Sequence, residues 1–151
     1  MQAATTGTSQ QGGSTWLQTD PLTFRHDLTG ADRDYEPVSD VPELTIPFPG
    51  VWEISYLARP AISVSTNAAL WVTTALFKNN ALIPGSEAIT GLQASDEVIQ
   101  NTTGQTFLHK FDAGDRVTLH AYRIGQTGTA NILSNADGRT GVMAHWVSPG
   151  F

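Results

Sequence analysis

The chain contains no cysteine. Disulfides, thiolate metal sites and cysteine nucleophiles are therefore excluded, and a packed core must hold the fold together. Basic residues are scarce: Arg25, Arg33, Arg59, Lys78, Lys110, Arg116, Arg123 and Arg139 stand against 14 Asp and Glu, giving a formal charge of −6. They gather in no patch, so neither nucleic acid nor an anionic membrane is an expected partner. Long apolar runs are missing, and nothing approaches a membrane span. The opening MQAATTGTSQQGGST lacks the basic start and apolar core of a signal peptide, so a chain made in the cytoplasm is expected. No segment keeps a 3.6-residue apolar period, which argues against helices. Catalytic signatures are absent too: there is no Gly-x-Ser-x-Gly elbow and no Gly-rich loop opening a helix. The sequence points away from an enzyme.

At 151 residues the chain suits one domain that buries roughly two-thirds of its unfolded surface. Residues 1–15, mostly Thr, Ser, Gln, Gly and Ala, have the composition of a flexible polar arm. Thr5, Gln10 and Gln11, with Trp16 just beyond, are the residues expected to meet a partner. Residues 16–151 form the expected domain. Trp16, Leu17, Leu22 and Phe24 suit an edge strand interrupted by Pro21, because proline removes a ladder donor.

Between Asp27 and Glu43 the carboxylates Asp27, Asp32, Asp34, Glu36, Asp40 and Glu43 alternate with turn formers. Such spacing can converge on calcium, but the Gly and terminal Glu of a helix-loop-helix calcium loop are lacking, so a solvated acidic loop is the expectation and no cofactor or metal is assigned. Leu44 to Leu57 reads as strand, Pro49-Gly50 turn, strand. In the second strand Trp52, Ile54 and Tyr56 share a face opposite Glu53 and Ser55. Leu70 to Ile83 repeats the layout around Asn79-Asn80, a pair suited to the positive-φ positions of a two-residue hairpin loop. Pro84 to Thr106 is expected to be loop with one short strand near Val98. Asn131 to Ser134 and Thr140 to Val147 flank a turn at Asn135-Ala136-Asp137-Gly138.

The most regular stretch is FLHKFDAGDRVTLHAYRIG, Phe107 to Gly125. Apolar residues at a spacing of two flank Asp112-Ala113-Gly114-Asp115, so it reads as a hairpin whose Asp residues form the turn. Two strands bury too little to stand alone and must belong to a larger sheet. Of the histidines His26, His109, His120 and His145, His109 and His120 flank this hairpin. They are candidate cross-strand neighbours, either holding a metal or forming a hydrogen-bonded pair. The whole reads as all-β, with about eight to ten short strands in a jelly roll, another sandwich or a barrel.

Four segments together, IPFPGVWEISYLA, TTALFKNNALIPG, LHKFDAGDRVTLHA and GRTGVMAHWVSPGF, resemble the globular head of the first complement component and its tumour-necrosis-factor-like relatives. Pro49-Gly50 leads into an aromatic strand ending in Ser55-Tyr56. Ala75-Leu76-Phe77-Lys78-Asn79-Asn80 stands for that family's strand into Lys-Asn-Gly, with Asn in place of Gly. Gly114-Asp115-Arg116-Val117-Thr118-Leu119 matches its Gly-Asp-x-Val-x-Leu signature, and Thr140-Gly141 opens the apolar last strand. The resemblance covers residues 44–148. It implies a jelly-roll β-sandwich of about ten strands and a homotrimer with an aromatic and aliphatic interface. Strands 70–77 and 142–147, apolar or small on both faces, need two covers, and a second copy would supply one. Trp52, Tyr56, Trp71, Phe77, His120, Tyr122 and Trp146 are the candidates for trimer interface or core.

The chain lacks the family's collagen-like stalk, cysteine and secretion signal, which points away from an animal complement or cytokine role. The expected function is a non-enzymatic virion structural protein. It would be a trimer that decorates or cements a bacteriophage capsid, its arm reaching the major capsid protein or other virion proteins. The alternative is a receptor- or glycan-binding head of a tail fibre or a secreted recognition module, with Trp71, Tyr122 or Trp146 as stacking platforms.

Overall fold

The computed structural model describes residues 15–19 and 21–150, and the backbone of residues 11–12. Among these residues there are strands and no helices. The strands are β1 (Gln11–Gly12), β2 (Trp16–Gln18), β3 (Phe24–Asp27), β4 (Glu36–Pro37), β5 (Leu44–Thr45), β6 (Gly50–Val64), β7 (Ala68–Lys78), β8 (Ala81–Leu82), β9 (Ala88–Ala94), β10 (Glu97–Gln100), β11 (Thr103–Phe111), β12 (Arg116–Ile124), β13 (Thr129–Ser134) and β14 (Gly141–Ser148). That is 14 rather than about ten; the excess is β1, β4, β5 and β8, two residues each.

β6 is the spine. Its alternation buries Trp52, Ile54, Tyr56 and Ala58 and turns Glu53 and Leu57 outward, as the pleat of a strand with one covered face requires. Along one edge it pairs β11 over Gly50–Ala58 and β10 over Ala61–Val64. Along the other it pairs β14 and then β13. β2 and β1 extend the sheet beyond β14, and β3 extends it beyond β13. Each partner of β6 is interrupted once, for an identifiable reason. Pro60 accepts a bond from the Asn101 N–H at 3.2 Å but has no N–H to return. There β10 ends at Gln100, opposite Ala61, and β11 resumes at Thr103, opposite Ala58. On the other edge residues 135–140 loop out between β13 and β14. The Thr140 hydroxyl staples this loop, accepting from the Arg59 N–H at 3.0 Å and donating to the Leu133 carbonyl.

The second sheet runs β4-β12-β7-β8, with β5 on β12 and β9 on β7. From β6 onward the chain alternates between sheets: β7 to β9 in the second, β10 and β11 in the first, β12 in the second, β13 and β14 in the first. The sandwich is thus stitched by crossovers, and this corrects the expected hairpins. Phe107 to Gly125 is not a hairpin, since β11 pairs β6 and β12 pairs β7. The Asp112 to Asp115 turn does form, with the Asp112 N–H donating to Asp115 Oδ2 at 2.8 Å, but it turns a corner between sheets. Leu44 to Leu57 is likewise a crossover, and the Asn135 to Gly138 loop is an excursion along one edge of β6. Leu70 to Ile83 is a hairpin as expected: Asn79 and Asn80 have φ of 51° and 68°, and Lys78 faces Ala81. Pro84 to Thr106, expected to be mostly loop, instead holds β9, β10 and the start of β11.

The core lies between the sheets, with Ile54, Ile62, Leu70, Leu76, Leu119 and Ile132 among its fully buried side chains. One polar contact crosses it. The Tyr56 hydroxyl, on β6, donates to the Ser86 carbonyl at 2.6 Å and lies 3.1 Å from the Thr74 carbonyl. Ser86 is itself buried and donates through Oγ to the Ile83 carbonyl at 2.7 Å while accepting from the Leu76 N–H at 3.0 Å. Burial pushes the Tyr56 phenol up to about 12, so it remains a donor throughout the working pH range.

Replacing Tyr56 with Phe keeps the ring and removes the donor, leaving a buried carbonyl unpaired. The expected loss is about 2 kcal/mol in urea unfolding with an unchanged slope. A loss below about 0.5 kcal/mol, the lower end of what a net hydrogen bond contributes, would show that packing alone joins the sheets here.

Candidate interaction surfaces

The histidines and acids expected to carry chemistry are dispersed. His109 sits on β11 against Phe111, ring centroids 4.8 Å apart, whereas His120 is on β12 in the other sheet. They are therefore not cross-strand neighbours, because the corner at Asp112 to Asp115 separates them. His26 lies between Glu36 Oε1 at 3.1 Å and Asp40 Oδ1 at 3.2 Å, linking β3 at the edge of the first sheet to β4 at the edge of the second. Two further acids have separate partners. Asp27 pairs Arg25, and Asp32 accepts from the Gly125 N–H and from Gln126. Hydrogen bonds from Gln126 and Gly125 hold the Asp32 carboxyl below its usual range. Among the described residues no group of three or more His, Asp or Glu converges as metal ligands.

The seven interface-or-core candidates separate into two places. Trp52 and Tyr56 are buried between the sheets. Trp146 faces the same interior, half-buried against Phe48, and its indole Nε1 is buried without a partner. Trp71, Phe77, His120 and Tyr122 lie on the outer face of the second sheet, where the register sets His120 beside Ala75 and Tyr122 beside Thr73. Their organiser is Tyr35, which sequence reasoning missed. Its ring meets Phe77 edge-on at 5.0 Å and Tyr122 at 4.6 Å, and its hydroxyl donates to Glu87. His120 stacks on Phe77 at 3.9 Å. Thr73 and Ala75 are thereby buried within the chain, so β7 around these residues needs no second copy to cover it. Trp71, 39% exposed, lies across Gly91, where any Cβ would come within 1.7 Å of its ring.

Of the arm residues, Thr5 and Gln10 lie outside the described residues. The backbone of Gln11 pairs with Gln18 of β2, and Trp16 is half-buried opposite His145.

The outer face of the eight-stranded sheet is different. Leu57, Leu108 and Val147 are 55%, 60% and 47% exposed. Leu57 has no side chain beside it in register, because its partners are Gly104 on β11 and Gly141 on β14. Gly104 is fixed as glycine, since a Cβ there would stand 2.0 Å from the Tyr56 carbonyl oxygen. Leu57 therefore stands as an isolated knob beside a recess of about 420 Å³ that Gln18, Arg139 and Met143 help to line. The alternation in β6 opposed Trp52, Ile54 and Tyr56 to Glu53 and Ser55, and the structure adds that no described residue covers Leu57 or Leu108.

No protein-family model and no curated protein matches the chain. Its fold is similar to that of a solved structure, Eiger TNF from S. frugiperda, with a TM-score of 0.52, 10% identity, and coverage of 89% of this chain and 92% of that one. At that identity the likeness shows the fold alone: a TNF-like all-β sandwich.

His120 and His109 give the surface a pH dependence. Burial holds His120 below its ordinary 6.5, and burial aided by Lys78 does the same for His109. Below 6.5 the unfolded chain takes up protons that the folded chain refuses, so stability is full above that value and is lost as pH falls from it. The expected outcome is a His120 NMR titration midpoint below 6.5 and a thermal midpoint that falls between about pH 7.5 and pH 5 less steeply in His120→Gln. An ordinary midpoint for His120 would refute the assignment.

Proposed function

We propose that this protein is a non-enzymatic structural module that assembles as a homotrimer through the outer face of its eight-stranded sheet. The observation that carries the proposal is the uncovered apolar set Leu57, Leu108 and Val147. Leu108 and Val147 stand on β11 and β14, the strands to either side of Glu53, and Leu57 lies four residues further along β6. Apolar side chains exposed among charged and polar neighbours in this way suit a protein interface better than a wet sheet. The TNF-like sandwich supports a binding or structural role over catalysis. The jelly-roll topology and the threefold symmetry belong to this proposal, on the strength of the resemblance across residues 44–148.

In its finer form, the trimer decorates or cements a bacteriophage capsid. It would be made in the host cytoplasm, with residues 1–15 contacting the major capsid protein or neighbouring virion subunits. The cysteine-free, acidic composition and the Thr-, Gln- and Gly-rich arm support this reading. It assigns no cofactor, nucleic acid or membrane. A receptor- or glycan-binding head is the second reading, favoured by the exposed Trp71 lying flat on Gly91.

Light scattering at micromolar concentration is expected to give a trimer, and the double variant Leu57→Glu, Leu108→Glu a folded monomer with unchanged β circular dichroism. A monomeric parent protein would overturn the assembly. Deleting residues 1–15 is expected to abolish binding to capsid particles while leaving the trimer intact, and undiminished occupancy on the particle would remove the arm from the mechanism.

A further inference from the structure

Arg123 is the cation most removed from water in this acidic chain, only 7% exposed, at the end of β12 where the two sheets open. Its Nε donates to the Gly125 carbonyl at 2.8 Å, Nη1 to Leu28 at 3.0 Å and Nη2 to Gly128 at 3.0 Å. A guanidinium has five donors, so N–H groups remain beyond these three bonds. Among the described residues no carboxylate lies within ion-pair distance of it. Asp32 feels its charge but commits Oδ1 to Gly125 and Gln126. A buried cation held only by carbonyl dipoles is short of one negative charge.

Arg123 lines a cavity of about 210 Å³ with Arg25, Asp27, Thr29 and Thr129. Arg25 and Asp27 neutralise each other at 3.0 Å, which leaves the cavity one positive charge, that of Arg123. A second cavity of about 290 Å³ adjoins it, sharing Arg25 and Thr129. Asn131 lines that one, 6% exposed, with its Oδ1 buried and unpartnered. An acceptor in that state calls for a donor.

We propose that this edge of the sandwich, at β3, β13 and the end of β12, binds an acidic saccharide: a sugar ring carrying a carboxylate. The carboxylate is held at Arg123 and the Thr29 hydroxyl, where charge-assisted bonds are strongest. The ring lies across Thr129, and one of its hydroxyls donates to the Asn131 side chain. A bare anion uses only the first cavity and a neutral sugar only the second, so the joined pair selects a ligand with both features. The site is separate from the Trp71 platform, but its second cavity lies on the same outer face of the eight-stranded sheet as Leu57, further along β6 at Ala61 and Ser63.

The test is an NMR titration of the intact protein with sodium glucuronate, N-acetylneuraminate, glucose and inorganic phosphate. Both acid sugars are expected to shift amides in residues 25–29 and 128–131, with glucose about tenfold weaker for want of the charge-assisted bond and phosphate about tenfold weaker for want of the ring and its hydrogen bond. Arg123→Gln is liable to unfold the loops it holds, so the informative variants are Arg25→Gln and Asn131→Ala. Arg25 is exposed, and its loss frees the Asp27 carboxylate to repel the ligand. Arg25→Gln is expected to weaken glucuronate about tenfold, with an unchanged thermal midpoint. Asn131→Ala is expected to narrow the preference for glucuronate over phosphate. The proposal is overturned by silence toward both acid sugars, by equal affinity for phosphate or glucose, or by an Arg25→Gln variant that binds as the parent does. The Leu57→Glu, Leu108→Glu variant is titrated alongside the parent, so that silence in both overturns the site whatever the state of assembly.

Discussion

A strand of fifteen residues can lie inside a sheet only if partners follow it along both edges, and β6 meets that demand with two strands along each edge, β10 and β11 on one and β13 and β14 on the other. The rest of the molecule follows from this constraint. Because β10 and β11 together run the length of one edge, the chain must leave the second sheet before Glu97 and return to it after Phe111. Because β13 and β14 run the length of the other, it must cross again between Ile124 and Thr129. Every crossing from β6 onward is a short turn, and short crossings hold the sheets close enough for the Tyr56 hydroxyl of β6 to reach the Ser86 carbonyl. The interruptions are as informative as the pairing. Pro60 would weaken an ordinary central strand, yet here its missing donor coincides with the gap between β10 and β11, so the ladder loses little beyond what the fold already gives up.

Much of this was legible in the sequence, and the part that was not has a common cause. Alternation assigned Trp52, Ile54 and Tyr56 to one face of β6, and Asn79-Asn80 marked a hairpin that is there. Both signals are local. What alternation and turn chemistry do not encode is which strand a strand pairs with. Apolar alternation on either side of Asp112-Ala113-Gly114-Asp115 looks the same whether the turn closes a hairpin or rounds a corner between sheets, and only the pairing of β11 with β6 and of β12 with β7 decides it. β9 escaped notice because Thr90, Gly91 and Gln93 give it little apolar alternation. It is held by backbone pairing to β7 and by the Trp71 ring on Gly91, neither of which leaves a periodic trace.

The same limit applies to the surfaces. Trp71, Phe77, His120 and Tyr122 stood out because aromatics are conspicuous, but Phe77, His120 and Tyr122 close the outer face of the second sheet around Tyr35. That residue lies in an acidic stretch with no apolar pattern to mark it. Leu57 drew no notice, since one leucine on a polar face is ordinary. Its character depends on Gly104 and Gly141 facing it across two strands, residues 47 and 84 positions further along the chain. Arg123 is hidden in the same way: nothing local distinguishes it from Arg116, yet the loops through Leu28, Gly125 and Gly128 enclose the one and leave the other in solvent.

Taken face by face, the molecule divides its work. The interior between the sheets is filled with aliphatic and aromatic side chains. The outer face of the second sheet is closed around Tyr35 by its own aromatic cluster, which leaves Trp71, Ile89 and Leu82 exposed toward its β8 and β9 edge. The outer face of the eight-stranded sheet has no such lid among the described residues, and its exposed apolar side chains, Leu57, Leu108 and Val147, stand on β6 and the two strands paired to it. A surface carried by β6 cannot flex without breaking ladders on both edges, so a partner docking there meets a preorganised face and forgoes little conformational entropy. That rigidity, more than the apolar area alone, makes this face better suited to a permanent assembly contact than to a passing one.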